Sequence, residues 1–152
     1  MKIALCADEP YPVHAIIRDI LTRRGHEVVP FGAVATGQDA PWAEVAEQAA
    51  LAVAGGLCDE GVFLCWTGTG ISIAANKVHG VRAALCGDPG TAAGARVWNR
   101  ANVLCLSHRT LSGDMAREIL AAWFDTDPGE EGAAGVNLLD RVDATHRRRS
   151  PT

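Results

Sequence analysis

Apolar residues fall along this chain in short continuous runs, separated by longer stretches in which they recur every three or four positions. The first pattern is that of a strand buried on both faces, the second that of a helix with one buried stripe. The runs predict strands over Lys2–Ala7, His26–Phe31, Gly61–Trp66, Val81–Cys86 and Asn102–Leu106. Between them the pattern predicts helices over Val13–Arg24, Pro41–Ala54, Ile71–Lys77, Gly90–Asn99 and Ser112–Phe124. Punctuation agrees with these limits. Gly25 and the pair Gly55-Gly56 suit helix ends, and Pro41 suits a first helical turn. Asp8-Glu9-Pro10-Tyr11-Pro12 breaks the chain after the first strand, and residues 32–40 read as a glycine-containing loop.

Strands alternating with helices predict an α/β fold, a parallel sheet covered by helices on both faces. With 152 residues the chain suits one domain, 1–152. Residues 126–152 read as a C-terminal loop, a helix over Val136–Arg147 and a basic tail. In open sheets of this kind ligands lie outside the carboxyl ends of the strands. That edge gathers Asp8-Glu9, the stretch from Cys65 to Gly70, Gly87-Asp88 and Ser107-His108-Arg109.

Composition narrows the class. A net charge of -4 is no field for nucleic acid or an anionic membrane, and the run His146–Arg149 reads as a solvated tail. No apolar stretch approaches the ~20 residues of a membrane span, and the N-terminus enters a strand directly, so a cytoplasmic location is expected. The five cysteines are odd in number and lack paired metal-ligand spacing, which argues for buried thiols and against disulfides or a metal site.

Cys65 stands apart because it ends a strand just before Thr67-Gly68-Thr69-Gly70 and the helix that follows. Gly68 and Gly70 remove the Cβ atoms that would block a close approach, and the helix start offers free N–H groups to an anion or a developing oxyanion. The turn lacks the P-loop and dinucleotide glycine patterns. Its other reading is that Cys65 is one more buried strand thiol.

The stretch Cys65-x-Thr67-Gly68-x-Gly70-Ile71-Ser72-Ile73-Ala74-Ala75-Asn76-Lys77, with Lys2-Ile3-Ala4, Ala52–Gly56 and Asn102-Val103-Leu104, resembles the ribose-5-phosphate isomerase B and galactose-6-phosphate isomerase family. The resemblance spans nearly the whole chain. It implies a Rossmann-like α/β/α sandwich with a five-stranded parallel sheet and a C-terminal helix packed on a partner subunit. It also implies an aldose-ketose isomerase without metal or organic cofactor, working as a homodimer or dimer of dimers with shared sites. Cys65 would be the base that moves a proton between C1 and C2 through a cis-enediolate, as suits a thiol at a helix start. Thr67 would bond a substrate oxygen, and the backbone from Gly68 through Gly70 and Ile71 to Ser72 would hold the enediolate. Asp8 and Asn99 would orient hydroxyls, Arg109 would match a family arginine at the cleft, and Arg141 would match the family's phosphate clamp.

Four positions depart from the family pattern, one of them Arg100, which stands where the family carries an aspartate. Glu9 stands where a histidine is usual, Trp98 where the family carries a ring-opening histidine, and Asn137 where it carries a second C-terminal arginine. An indole N–H donates but does not shuttle a proton at neutral pH. The expected substrate is therefore not ribose 5-phosphate: either Arg100 or His108 supplies what is lost, or the sugar lacks a phosphate or is already open-chain. Glu9 would then bind a hydroxyl or ammonium, and Trp98 would stack on a sugar or anchor an interface. The alternative is a non-catalytic homologue that binds a sugar or sugar phosphate.

Overall fold

In the computed structural model, which describes residues 1–146, each apolar run becomes a strand, the three central ones buried on both faces and the two at the sheet edges only partly. The strands are β1 (Lys2–Ala7), β2 (Glu27–Gly32), β3 (Glu60–Cys65), β4 (Ala83–Leu85) and β5 (Val103–Ser107). The helices are α1 (Val13–Arg23), α2 (Ala33–Thr36), α3 (Trp42–Ala54), α4 (Thr69–Ala75), α5 (Pro89–Asn99), α6 (Gly113–Asp125) and α7 (Ala133–His146). All pairings are parallel, in the order β2-β1-β3-β5-β4. The chain builds outward from β1 to β2, then returns to lay β3 on the other side, so the crevice expected at such a reversal opens between β1 and β3.

Two cores sandwich the sheet. Ile3, Leu5, Val62, Leu64, Leu104 and Leu106 meet Ile17 and Leu21 of α1, Ala92 of α5, and Ile119 and Trp123 of α6. On the other face Ala4, Cys6, Phe63, Cys65 and Cys105 meet Val45 and Ala49 of α3 and Ile71 of α4. All five cysteines are buried and free, which is the small apolar role read from their place in the strands.

Several boundaries differ from expectation for local reasons. Pro41 is the extended N-cap of α3 and not part of its first turn. Residues 33–36, expected as loop, close one helical turn ended by Gly37 in the left-handed conformation. Helix α4 starts at Thr69, directly behind left-handed Gly68. In α5 the Asp88 carboxylate accepts the Thr91 N–H at 2.8 Å and its hydroxyl at 2.6 Å, so Pro89 becomes the first helical residue. Ser112 likewise caps α6 from outside. Strand β4 is shorter than the run Val81–Cys86 because only three of its residues pair with β5. Helix α7 starts at Ala133, ahead of the expected Val136. The basic run beyond His146 and the end of that helix at Arg147 lie outside the described residues. No helix among the described residues is long and apolar enough to cross a membrane.

Helix α7 docks on its own chain along α5. A Cβ on Gly132 would lie 2.2 Å from the Val97 carbonyl oxygen, so only glycine permits that approach. Val136 is buried there, His79 bonds Asp143, and Arg82 lies 3.9 Å from Asp140. Arg100 takes up a left-handed conformation at the end of α5 and donates to the Gly129 carbonyl at 3.0 Å and Glu130 at 3.4 Å. Its guanidinium thus closes the loop before α7.

Candidate active site

Strand β3 delivers Cys65 to the carboxyl edge of the sheet, where the residue is buried at 5% exposure. Its carbonyl accepts the His108 N–H at 3.0 Å, and the Trp66 carbonyl accepts the Arg109 N–H at 3.0 Å and the Ser107 hydroxyl at 2.8 Å. Strands β3 and β5 therefore stay joined past the thiol. That pairing anchors the floor of the site before the chain turns at Gly68.

Gly68 has φ of +75°, and a Cβ there would lie 2.5 Å from Leu85 Cδ1 and 3.0 Å from the Leu106 backbone. Both conformation and space demand glycine. No side chain caps α4, so the first-turn N–H groups of Thr69, Gly70 and Ile71 lack an intrahelical acceptor. The Ser72 N–H instead closes the turn onto the Gly68 carbonyl at 3.3 Å. Ser72 turns its hydroxyl toward Cys105, a thiol pushed well above its ordinary range by burial. Thr67 and Thr69 share a 2.6 Å hydroxyl bond at the exposed rim.

Gly70 serves a different end from the one its place in the turn suggests. A Cβ on it would lie 3.2 Å from Trp42 Cε3; the half-exposed indole that opens α3 fills the room. Packing, rather than clearance for a ligand, uses the missing side chain. Trp42 was not among the candidate residues, and nothing local in its helix would mark it.

Asp8 extends β1 and is buried, with Oδ1 lacking any hydrogen-bond partner. Burial raises its pKa above the ordinary carboxyl value, and the nearby negative charges of Glu9 and Asp39 add to the rise. Glu9 is exposed and accepts the Tyr11 hydroxyl at 3.2 Å. His108 is buried, not a surface group, and its Nε2 meets the Nε2 of buried His14 at 2.7 Å. His14 had no expected functional place. Burial lowers both imidazoles to about 4.

The remaining candidates divide in two. Arg109 lies at the same edge as Cys65 and is exposed. Trp98, Asn99 and Arg141 are exposed on α5 and α7; Trp98 and Asn99 line a separate groove of about 1570 Å³ with Leu85, Leu139 and Val142. Within one chain, then, Cys65, Thr67, Asp8, Glu9 and Arg109 share an edge, and the α5 and α7 residues face elsewhere.

A doubly wound parallel sheet with a thiol at its carboxyl edge, set behind a glycine turn and a helix start, defines a small α/β protein whose ligand crevice lies at the strand ends. Residues 3–139 match the model of the Ribose/Galactose Isomerase family, and the chain belongs to that family. It is 36% identical over 143 residues to the D-erythrulose-4-phosphate isomerase of Pectobacterium atrosepticum, covering 93% of each chain. It is 38% identical over 130 residues to ribose-5-phosphate isomerase B of Escherichia coli, covering 86% of this chain and 85% of the relative. The solved ribose-5-phosphate isomerase B of Clostridium thermocellum superposes with a TM-score of 0.88 at 36% identity, over 96% of this chain and 99% of that one. The chain is an isomerase enzyme, and the non-catalytic alternative finds no support among these relatives.

Proposed function

We propose that the enzyme interconverts the ketose and aldose forms of a short sugar phosphate that cannot close a ring, with D-erythrulose 4-phosphate as the best fit. Cys65 takes the proton from one of the two carbons and returns it to the other through a cis-enediolate, while the hydroxyl proton passes from one enediolate oxygen to the other, without a cofactor. Thr67 and the N–H groups that open α4 hold the developing oxygen charge, a preorganised arrangement that stabilises the transition state more than the substrate. Asp8, with an unbonded carboxyl oxygen, takes a substrate hydroxyl, and Arg109 lies at hand for the phosphate.

The observation that carries the substrate is Trp98, in the place where the resembling family carries the histidine that opens a furanose. An indole cannot act as that acid. A four-carbon sugar esterified at O4 has no free hydroxyl placed to form a five- or six-membered ring, so it needs no such acid. The similarity to an enzyme named for D-erythrulose 4-phosphate supports the same reading. The enzyme is cytoplasmic and assembles as a homodimer or dimer of dimers, which brings Trp98, Asn99 and Arg141 of one copy to the Cys65 edge of another.

Purified enzyme should turn over D-erythrulose 4-phosphate with kcat/KM at least 100-fold above that for ribose 5-phosphate, and solvent deuterium should enter the product. Cys65→Ala should lower kcat by about 10²- to 10⁴-fold, the usual contribution of a positioned general base. A preference for ribose 5-phosphate would overturn the substrate, and full turnover by Cys65→Ala would overturn the base.

A further inference from the structure

The pairing of three strands sets up a further row of side chains one residue beyond the thiol, at the same edge of the sheet. Ala7 pairs with Leu64 and Cys65 with Ser107, so Asp8, Cys65 and Ser107 form one row across β1, β3 and β5. Carried one residue further, the register puts Glu9, Trp66 and His108 in the next row. Side chains alternate along a strand, so Trp66 and His108 stand on the face opposite Cys65 at that edge.

Tyr11 enters this upper row from the loop after β1. Its ring stacks on His108 with centroids 4.2 Å apart and planes at 24°, and on Trp66 at 6.2 Å and 29°. The hydroxyl donates to Glu9 at 3.2 Å. Behind the stack His14 braces His108 through the 2.7 Å imidazole contact and meets Tyr11 edge-on at 6.4 Å. The Tyr11 N–H points at His14 Nδ1 at 3.5 Å. His14 then donates through Nε2, and His108 carries its own proton on Nδ1. Both histidines are at least nine-tenths buried. Rotating Tyr11 away would break three ring contacts and its hydroxyl bond to Glu9 at once.

Resting on the sugar-phosphate reading above, we propose that Tyr11, clamped between Trp66 and His108 one row beyond Cys65, is a specificity-determining wall that limits the substrate to four carbons. A sugar whose first two carbons sit at the thiol and whose chain lies across the crevice outside the strand ends passes Trp66, on which Tyr11 stacks, and so extends toward this row. One more CHOH unit would drive its far end into the tyrosine ring and bring its phosphate toward the Glu9 carboxylate. Shape and charge thus act together: the ring sets the length, and the carboxylate repels a dianion that reaches it.

The test compares binding of 4-phosphoerythronate and 5-phosphoribonate, unreactive acids of four and five carbons, by calorimetry. Wild-type enzyme should bind the four-carbon acid at least tenfold tighter. Tyr11→Ala should shrink that ratio by about 10-fold or more, the size of effect one backbone carbon has in a closed pocket, through tighter binding of the five-carbon acid. Tyr11→Phe keeps the ring and should keep the wild-type ratio. An unchanged ratio in folded Tyr11→Ala, or a ratio lost equally in Tyr11→Phe, overturns the wall; if Tyr11→Ala does not fold, Tyr11→Leu is read by the same criteria. Wild-type enzyme that binds neither acid overturns the sugar-phosphate reading itself, an outcome seen before any variant is made. Enzyme that binds both acids but isomerises neither sugar leaves the ratio, and hence the wall, to be judged on binding.

Discussion

At the scale of single residues, the His14–His108 pair makes the protein sensitive to acid. Both imidazoles are held at about 4 against an ordinary 6.5 because burial disfavours their charged forms, and each also feels a neighbour: Arg18 for His14, and His14 for His108. As pH falls below 6.5 the unfolded chain takes up these protons first and the folded chain refuses them. Stability is therefore complete above pH 6.5 and drains away toward pH 4, at no more than about 1.4 kcal/mol per pH unit for each group. Asp8 opposes this trend, since a carboxyl raised by burial favours the folded state as pH falls. Denaturant unfolding from pH 7 to 4.5 should show wild-type stability falling steeply, and a variant carrying both His14→Asn and His108→Asn should show a flatter profile.

Among the elements, β3, α5 and α6 are tied at the amino end of the sheet by one buried charge. Glu60 pairs with Arg96 at 2.7 Å, with side chains 11% and 15% exposed, and accepts the Trp123 indole N–H at 2.7 Å. Arg96 also lies over the Trp123 ring at 4.9 Å and donates to the Ala101 carbonyl at 2.6 Å. Removing the carboxylate leaves a buried guanidinium and a buried indole N–H without their acceptor. Glu60→Ala should cost about 3 to 5 kcal/mol, and Glu60→Gln, which keeps an acceptor for Trp123, should cost less; urea unfolding measures both. Strand limits and helix starts were close to legible because apolar runs and caps are local signals. The Asp88-Pro89-x-Thr91 cap could have been found by its spacing. The short turn at Ala33–Thr36 could not, since it lies between glycines and is four residues long, with Ala33 buried and Val34 packed against the core by long-range contact.

For the whole molecule, the assembly proposed above is what completes the site. Trp98, Leu138, Leu139 and Val142 are 57%, 53%, 42% and 55% exposed along the α5–α7 surface, an apolar display larger than scattered surface residues require. Light scattering should give twice or four times the mass of one chain. Leu139→Asp should shift the protein toward single chains and lower turnover, because Trp98, Asn99 and Arg141 lie away from Cys65 within one copy.

The sequence alone determined the parallel α/β plan, the thiol at the end of β3 and the glycine turn behind it, since each depends on neighbours a few positions apart. It also carried the family through that same unbroken stretch. Tertiary structure decided which distant side chains meet. His14 and His108 are 94 positions apart, and Tyr11 reaches them only because β3 lies between β1 and β5. Trp42 fills the space at Gly70 because α3 and α4 cover the same face of the sheet. Strand order is a choice among long-range pairings made by the packing of both cores together, so no local pattern records it.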